Sequence, residues 1–248
     1  MDTQLNDTSN DPGDFAALVD DRPEDGVFQV SRRVYNDPAI LEAEYKNIFE
    51  ANWVFLAPEG LLKEPGDYVA THIGRQPVFV IRQKDGGIGG FINACSHRGA
   101  MLTACRAGTM TEIACPYHGW RFNTDGQCTG IRARRAGWPE DDFDQSRFDL
   151  KPLPRLESYR GLIFASLGAD VAPLNEHLGP ITAFLDIFCA PAPHELEVVA
   201  GASIHTVNCN WKVLHDNGPD PYHAATVHGN FAATIVHRDE ISGNTGLK

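Results

Sequence analysis

The fold of this chain is decided by two short segments, Cys95-Ser96-His97-Arg98-Gly99 and Cys115-Pro116-Tyr117-His118-Gly119-Trp120. Seventeen residues separate His97 from Cys115. A cysteine and a histidine two or three positions apart on a tight loop can present sulfur and nitrogen to the same metal site. We therefore expect two loops, each at the tip of a β-hairpin, that clamp a metal centre from both sides.

Two metal centres fit this set of ligands. In a Rieske [2Fe–2S] cluster two thiolates hold one iron and two neutral imidazoles hold the other. A zinc site built from the same four side chains is the alternative. Zinc does not account for Gly99 and Gly119, which directly follow the histidine segments, or for the aromatic Trp120. The pattern favours a Rieske cluster with the ligands Cys95, His97, Cys115 and His118.

The remaining cysteines indicate no disulfide framework. Ala100 and Tyr117 stand where Rieske proteins of respiratory complexes carry an additional, disulfide-bonded cysteine in each loop. We expect the four cysteines outside the loops to be buried free thiols. They are Cys105, Cys128, Cys189 and Cys209.

Composition excludes several classes of partner. The formal net charge of −12 argues against binding to nucleic acid or to anionic lipid. No apolar run approaches the roughly 18–20 residues that span a bilayer, and the first residues lack the features of a secretory signal. We therefore expect a cytoplasmic protein without a membrane partner.

Short β-type runs separated by turn residues follow one another from residue 53 to about residue 168. Asp85-Gly86 and Asp125-Gly126 are typical turn pairs. Before these runs, Asp37 and Pro38 are placed to begin a helix. A further strand is predicted from about Glu195 to Asn208. The expected fold class is α+β, an all-β domain of antiparallel sheets with two cluster-binding hairpin loops and the start of a second domain.

A second constellation lies between Asn210 and His228, where an aspartate precedes two histidines five positions apart. His223 and His228 could supply the imidazoles of a two-histidine, one-carboxylate iron(II) site. A structural role is the alternative for an isolated pair, and the Rieske motif favours the iron. Histidines five apart point about 140° from each other on a regular helix. His228 therefore needs a distorted turn or a place just past a helix end.

The joint pattern resembles the large (α) subunits of Rieske non-haem iron ring-hydroxylating dioxygenases, closest to the benzoate and toluate group. It rests on the Rieske motif, on Asn210-Trp211-Lys212 and on Asp220-Pro221-Tyr222-His223 followed by His228. The resemblance covers about residues 25–240. It implies that His223 and His228 ligate a mononuclear Fe(II). It also implies that Asp220 is the catalytic acid residue, bridging His223 to a cluster histidine of a neighbouring subunit.

Composition and the resemblance together indicate a domain organisation, and the resemblance also implies partners. Residues 1–24 would be a disordered acidic tail, 25–52 a helical segment, 53–168 the Rieske domain and 169–248 the incomplete N-terminal part of a catalytic domain. Electrons would come from NADH through a separate reductase or ferredoxin. A small aromatic acid and O2 would be the substrates and a cis-diol the product, in an α3β3 or α3 assembly with a small β subunit.

The chain departs from the family pattern at its end. The family's third iron ligand is an aspartate far beyond the second histidine, whereas this chain ends 20 residues after His228. The sequence therefore reads as a large subunit truncated at its C-terminus. An electron-transfer-only Rieske protein or an inactive fragment is the alternative function. Pro219 and Pro221 flank Asp220, so this residue is also a candidate helix cap.

Overall fold

The computed structural model describes residues 15–138, 143–190, 197–199, 201 and 203–242. Contacts divide the chain into two compact units. One unit contains residues 41–202, and the other contains the residues up to 40 together with residues 203–248.

Short strands dominate the described residues. In chain order they are β1 (Val19–Arg22), β2 (Val27–Val30), β3 (Val54–Pro58), β4 (Asp67–Ile73), β5 (Gln76–Arg82), β6 (Ile88–Ile92), β7 (Ala107–Thr109), β8 (Ile113–Ala114), β9 (Arg121–Phe122), β10 (Cys128–Gly130), β11 (Arg155–Tyr159) and β12 (Leu162–Ser166). The helices are α1 (Arg33–Asn36), α2 (Pro38–Glu44), α3 (Arg134–Gly137), α4 (Leu174–Leu178), α5 (Ile181–Cys189), α6 (Trp211–Asn217), α7 (Ala224–Val227) and α8 (Gly229–Ser242).

The unit of residues 41–202 is built on three antiparallel sheets. Their strand orders are β6-β5-β4-β7, β11-β12-β3 and β10-β9-β8. This arrangement confirms the α+β class and the all-β domain predicted from the turn-separated runs. None of the described helices is both long and apolar enough to cross a membrane.

Strand β5 separates two hydrophobic cores. Val78 and Val80 are fully buried in one core, whereas Phe79 and Ile81 are fully buried in the other. Side chains alternate between the faces of a strand, so a central strand buried on both sides is apolar without interruption. The Phe79 core also contains the two cysteines of the metal motif, which places the predicted cluster site at its edge.

The two metal-motif loops are held by different connections. Loop 2 (residues 115–120) is the tip of the β8–β9 hairpin, as predicted. Loop 1 (residues 95–100) was expected at a hairpin tip as well, and here the structure differs. It lies in the connection from β6 to β7, the two edge strands of the four-stranded sheet.

The other unit carries the N-terminal segment and the second constellation. Helix α2 begins as predicted, with Asp37 Oδ1 accepting a hydrogen bond from the N–H of Ala39 at 2.9 Å. Composition assigned residues 15–24 to a disordered tail, and here too the structure differs. They form a 3-10 turn and strand β1, which is hydrogen-bonded to β2. Residues 1–14 of that predicted tail lie outside the described residues.

The strand predicted from Glu195 to Asn208 is wrong where it can be checked. Residues 197–199, 201 and 203–208 contain no strand in the part of the chain that the structure describes. Alternating apolar residues form a strand only where a neighbouring strand satisfies their backbone groups. The described sheets include no pairing with this segment. Residues 195 and 196 lie outside the described ranges.

We expect Gly126→Ala to destabilise the unit of residues 41–202 more than Gly86→Ala does. Both glycines have a left-handed backbone, with φ of +83° and +88°, so each substitution costs about 1–2 kcal/mol. At position 126 a Cβ would also clash with the ring of Phe91, whose Cζ would lie 2.8 Å away, and this adds about 1–3 kcal/mol of overpacking. At position 86 no atom lies within 4 Å. Urea unfolding of both variants measures the difference, and equal losses would contradict the packing argument.

Candidate functional site

Loops 1 and 2 share one backbone design. In each, the N–H of the first residue donates to the carbonyl of the last residue, at 2.8 Å in loop 1 and 2.7 Å in loop 2. The glycine N–H donates back to the cysteine carbonyl, at 2.8 Å and 3.0 Å. These turns require a left-handed residue, and Gly99 and Gly119 supply it with φ of +76° and +70°. The glycines noted in the sequence therefore have a structural reason.

The loops bring the four predicted ligand side chains together. Cys95 and Cys115 are each 3% exposed, while His97 and His118 are half-buried. The Nδ1 atoms of the two histidines lie 3.2 Å apart. Two imidazole nitrogens bound to one metal at about 2.1 Å, the length found for zinc, would be this far apart if the N–metal–N angle were about 100°. The residues therefore fit a [2Fe–2S] cluster with buried sulfur ligands and outer nitrogen ligands.

Burial disfavours the charged forms of the Cys95 and His97 side chains when no metal is bound. Burial raises the pKa of the Cys95 thiol to about 11, against hydrogen bonds from the N–H groups of His97 and Arg98, while Cys115 raises it further. Burial also lowers the pKa of His97, and the neighbouring His118 and Arg98 add to the effect. A lowered pKa keeps the imidazole neutral, as a metal ligand must be. A bound metal cation would supply the charge that stabilises the thiolates.

Asn93, which sequence reasoning missed, fixes the ends of loop 1. Its Oδ1 accepts hydrogen bonds from the N–H groups of Leu102 and Thr103, both at 3.1 Å. Its Nδ2 donates to the Thr103 carbonyl at 2.8 Å. The side chain is 5% exposed. An amide two residues before the first cysteine was the only signal in the sequence, and it does not reveal these partners.

His223 and His228 bracket helix α7. His223 precedes the helix, and His228 follows its last residue with φ of −104°. Their ring centroids lie 5.3 Å apart, with an angle of 66° between the planes. The structure therefore selects the second of the two arrangements left open by the sequence, in which His228 lies just past a helix end. The one-turn helix lets both imidazoles approach each other despite the spacing of five.

Asp220 divides its two carboxylate oxygens between two partners. Oδ1 accepts a hydrogen bond from the N–H of Tyr222 at 2.7 Å, and Oδ2 lies 3.2 Å from Nδ1 of His223. The Tyr222 N–H is the larger cause that lowers the pKa of Asp220, and His223 is the next. Asp220 thus caps the turn that precedes α7 and still contacts His223. Helix α7 itself begins at Ala224.

Asp216 has a partner that the sequence did not reveal. The Tyr35 hydroxyl donates to Asp216 Oδ2 at 2.6 Å, across 181 positions of sequence. This hydrogen bond raises the pKa of Tyr35. Asp216 is therefore engaged with the N-terminal segment.

A third ligand for the histidine pair is not found among the described residues, which contain no group of three or more His, Cys, Asp or Glu side chains that could hold a metal ion. In the Rieske site the two cysteines form one pair and the two histidines form another. Such pairs are consistent with this result, because a Rieske cluster takes two side chains on each iron.

The prediction of buried thiols outside the loops is largely wrong. Cys128 is buried, Cys189 is half-buried, and Cys105 and Cys209 are exposed. Burial raises the pKa of Cys128. None of the six cysteines forms a disulfide. Cys105 lies in the connection from β6 to β7, where no sheet covers its side chain.

Comparison with known proteins agrees with this geometry. Residues 52–159 match the family model described as "Rieske [2Fe-2S] domain". The chain is 43% identical to toluate 1,2-dioxygenase subunit alpha of Pseudomonas putida, over 90% of this chain and 49% of that protein. It is 40% identical to the 2-halobenzoate 1,2-dioxygenase large subunit of Burkholderia cepacia, over 90% and 48%. Among solved structures, naphthalene 1,2-dioxygenase from Rhodococcus sp. bound to indole superposes with a TM-score of 0.78 at 35% identity, covering 82% of this chain and 46% of that one.

The chain spans about half the length of the curated relatives it matches. Its matched domain contains both loops, all four converging side chains and the core that supports them. The chain therefore carries a Rieske [2Fe–2S] domain at residues 52–159 and is similar to the large subunits of 1,2-dioxygenases over about half of their length.

Proposed function

We propose that this chain is part of the oxygenase large subunit of a ring-hydroxylating dioxygenase, with two iron centres. Cys95, His97, Cys115 and His118 hold the [2Fe–2S] cluster. His223 and His228 hold a mononuclear Fe(II). When bound, the cluster supplies a one-electron carrier and the mononuclear iron supplies a centre for O2 activation.

The observation that supports this proposal most strongly is the convergence of His97 and His118 from separate loops, with Nδ1 atoms 3.2 Å apart. Burial of the cysteines behind them leaves the histidines as the ligands nearest solvent. With the cluster bound, the imidazoles of His97 and His118 would be its shortest connection to an external electron donor or acceptor. Backbone N–H groups directed at Cys95 stabilise negative charge on its sulfur.

Asp220 orients the second centre. Its carboxylate contact with Nδ1 of His223 selects the tautomer whose Nε2 carries a lone pair and is free to bind metal. The Asp220 side chain is 44% exposed, so it is also accessible to a histidine of a neighbouring subunit. This supports its proposed role as the bridge for electrons between subunits in an α3β3 or α3 assembly.

The substrate class follows from the relatives. Toluate, 2-halobenzoate and anthranilate are the compounds in the names of the three relatives with 38–43% identity. All are aromatic carboxylates. We propose that this chain serves cis-dihydroxylation of such an acid, with electrons from NADH through a separate reductase or ferredoxin. The four cysteines outside the loops form no disulfide, which is consistent with a location in the reducing cytoplasm.

The test combines the purified, iron-loaded chain with NADH and a reductase of the toluate dioxygenase type. We expect O2 consumption that depends on benzoate or toluate, with the cis-diol as product. Reduction of the cluster without diol formation would favour the electron-transfer-only alternative. A variant with both His223 and His228 changed to alanine is the matched control, since it should keep cluster reduction and lose O2 consumption.

A further inference from the structure

Trp120 belongs to loop 2, but its side chain contacts a residue of loop 1. Its carbonyl closes loop 2 by accepting the hydrogen bond from Cys115. Its indole, 2% exposed, stacks on the imidazole of His97 with ring centroids 4.6 Å apart and an angle of 10° between the planes. Loop 1 and loop 2 are thus joined by an aromatic contact as well as by their proposed shared cluster.

The stacked indole limits how the imidazole of His97 can turn. A flat ring against one face restricts rotation about the bond that joins the imidazole to the rest of the side chain. Aromatic pairs of this kind stabilise each other beyond the burial of their surface. In the orientation that is held, Nδ1 of His97 points towards Nδ1 of His118.

Trp120 is itself supported from behind. The ring of Phe148 meets it edge-on, with centroids 5.3 Å apart and planes at 83°. Trp138 makes a second edge contact at 6.2 Å. The Phe148 carbonyl accepts a hydrogen bond from the Ser96 hydroxyl at 2.5 Å, and Ser96 is the residue before His97. The contacts therefore form a closed ring that runs from His97 through Trp120 and Phe148 back to loop 1.

We infer that Trp120 is a positioning residue that orients His97 and couples the two loops at the histidine side of the cluster. This inference rests on the proposed ligand role of His97 and His118, and it is independent of the oxygenase activity. Residues that orient metal-bound imidazoles typically change metal affinity 10- to 100-fold when they are replaced. Loss of Trp120 should therefore loosen the cluster without removing any ligand.

The test compares Trp120→Leu with Trp53→Leu in the cluster-loaded chain. Trp53 is a matched control, because it is also buried and its Nε1 donates to the Ala172 carbonyl, but it does not belong to the core that contains Cys95, Cys115 and Trp120. The readouts are the rate at which an iron chelator bleaches the visible absorption and the EPR spectrum of the reduced cluster. We expect bleaching about 10-fold faster or more for Trp120→Leu, with an altered EPR line shape. Trp53→Leu should bleach at nearly the wild-type rate.

Trp120→Phe adds a conservative variant, because a smaller flat ring can still stack on His97. Its bleaching rate should lie between those of the wild type and Trp120→Leu. If Trp120→Leu does not fold, Trp120→Met replaces it, since methionine fills much of the volume without a flat ring. An unchanged rate and EPR spectrum in the Leu or Met variant would overturn the inference, as would equal acceleration in Trp53→Leu. Absence of a cluster from the wild-type chain would instead overturn the ligand assignment.

Discussion

Cys115→Ala is expected to abolish the [2Fe–2S] cluster, with visible absorption, acid-labile sulfide and the EPR signal of the reduced state all lost. The substitution removes one of two thiolates on the same iron, and no described side chain is placed to replace it. Cys115 is 3% exposed and interacts with Cys95, so an alanine would leave the buried Cys95 sulfur as the only thiolate for that iron. We expect iron occupancy of the cluster below about one tenth of wild type.

Cys128→Ala provides the matched control for this prediction. Cys128 is buried in the same core as Cys115, and burial raises the pKa of its thiol. It lies on β10, outside both loops, and its backbone N–H donates to Asp149 at 2.7 Å. The variant should retain the full cluster spectrum. A wild-type spectrum in Cys115→Ala, or a lost spectrum in both variants, would contradict the ligand assignment.

His223→Ala is expected to remove the mononuclear iron and leave the cluster intact. Total iron should fall from about three atoms per chain to about two, while the visible spectrum stays unchanged. The reason is that His223 is the imidazole held by a carboxylate, through the contact between its Nδ1 and Asp220 Oδ2. Anaerobic Fe(II) titration followed by metal analysis measures the loss.

His237→Ala is the control for the second site. His237 also faces an acid three positions away, with its Nδ1 3.9 Å from Glu240 Oε2, but it lacks the edge-on contact with a second histidine that His223 makes with His228. Its replacement should leave the iron content unchanged. Equal loss of iron from both variants would show nonspecific binding, and no loss from His223→Ala would show that the iron site lies elsewhere.

The cluster loops could be predicted from the sequence because their signals are local. Ligand spacing, a glycine at the same point of each loop and the flanking strands all lie within a few residues of one another. The partners that orient the ligands could not be predicted this way. Ser96 meets Phe148 across 52 positions and Tyr35 meets Asp216 across 181, and a single sequence carries no record of such contacts.

The incorrect predictions have the same origin, because they too depend on parts of the chain that are distant in sequence. Alternation between Glu195 and Asn208 suits a strand, but whether a strand forms depends on a neighbour elsewhere in the chain. Likewise, the hydrophobic character of cysteine predicted burial for Cys105, whose position in a long connection leaves it exposed. The arrangement around His228 was left with two solutions, because the end of α7 is set by the local backbone and not by residue spacing.

The burial of strand β5 on both of its faces has a consequence for how this domain unfolds. Because Val78 and Val80 belong to one core and Phe79 and Ile81 to the other, neither core can lose the strand without opening its neighbour. The two cores therefore unfold as a single cooperative unit rather than in stages. Local melting on the face away from the metal-motif loops would expose the loops as well, so global denaturation would also release the cluster.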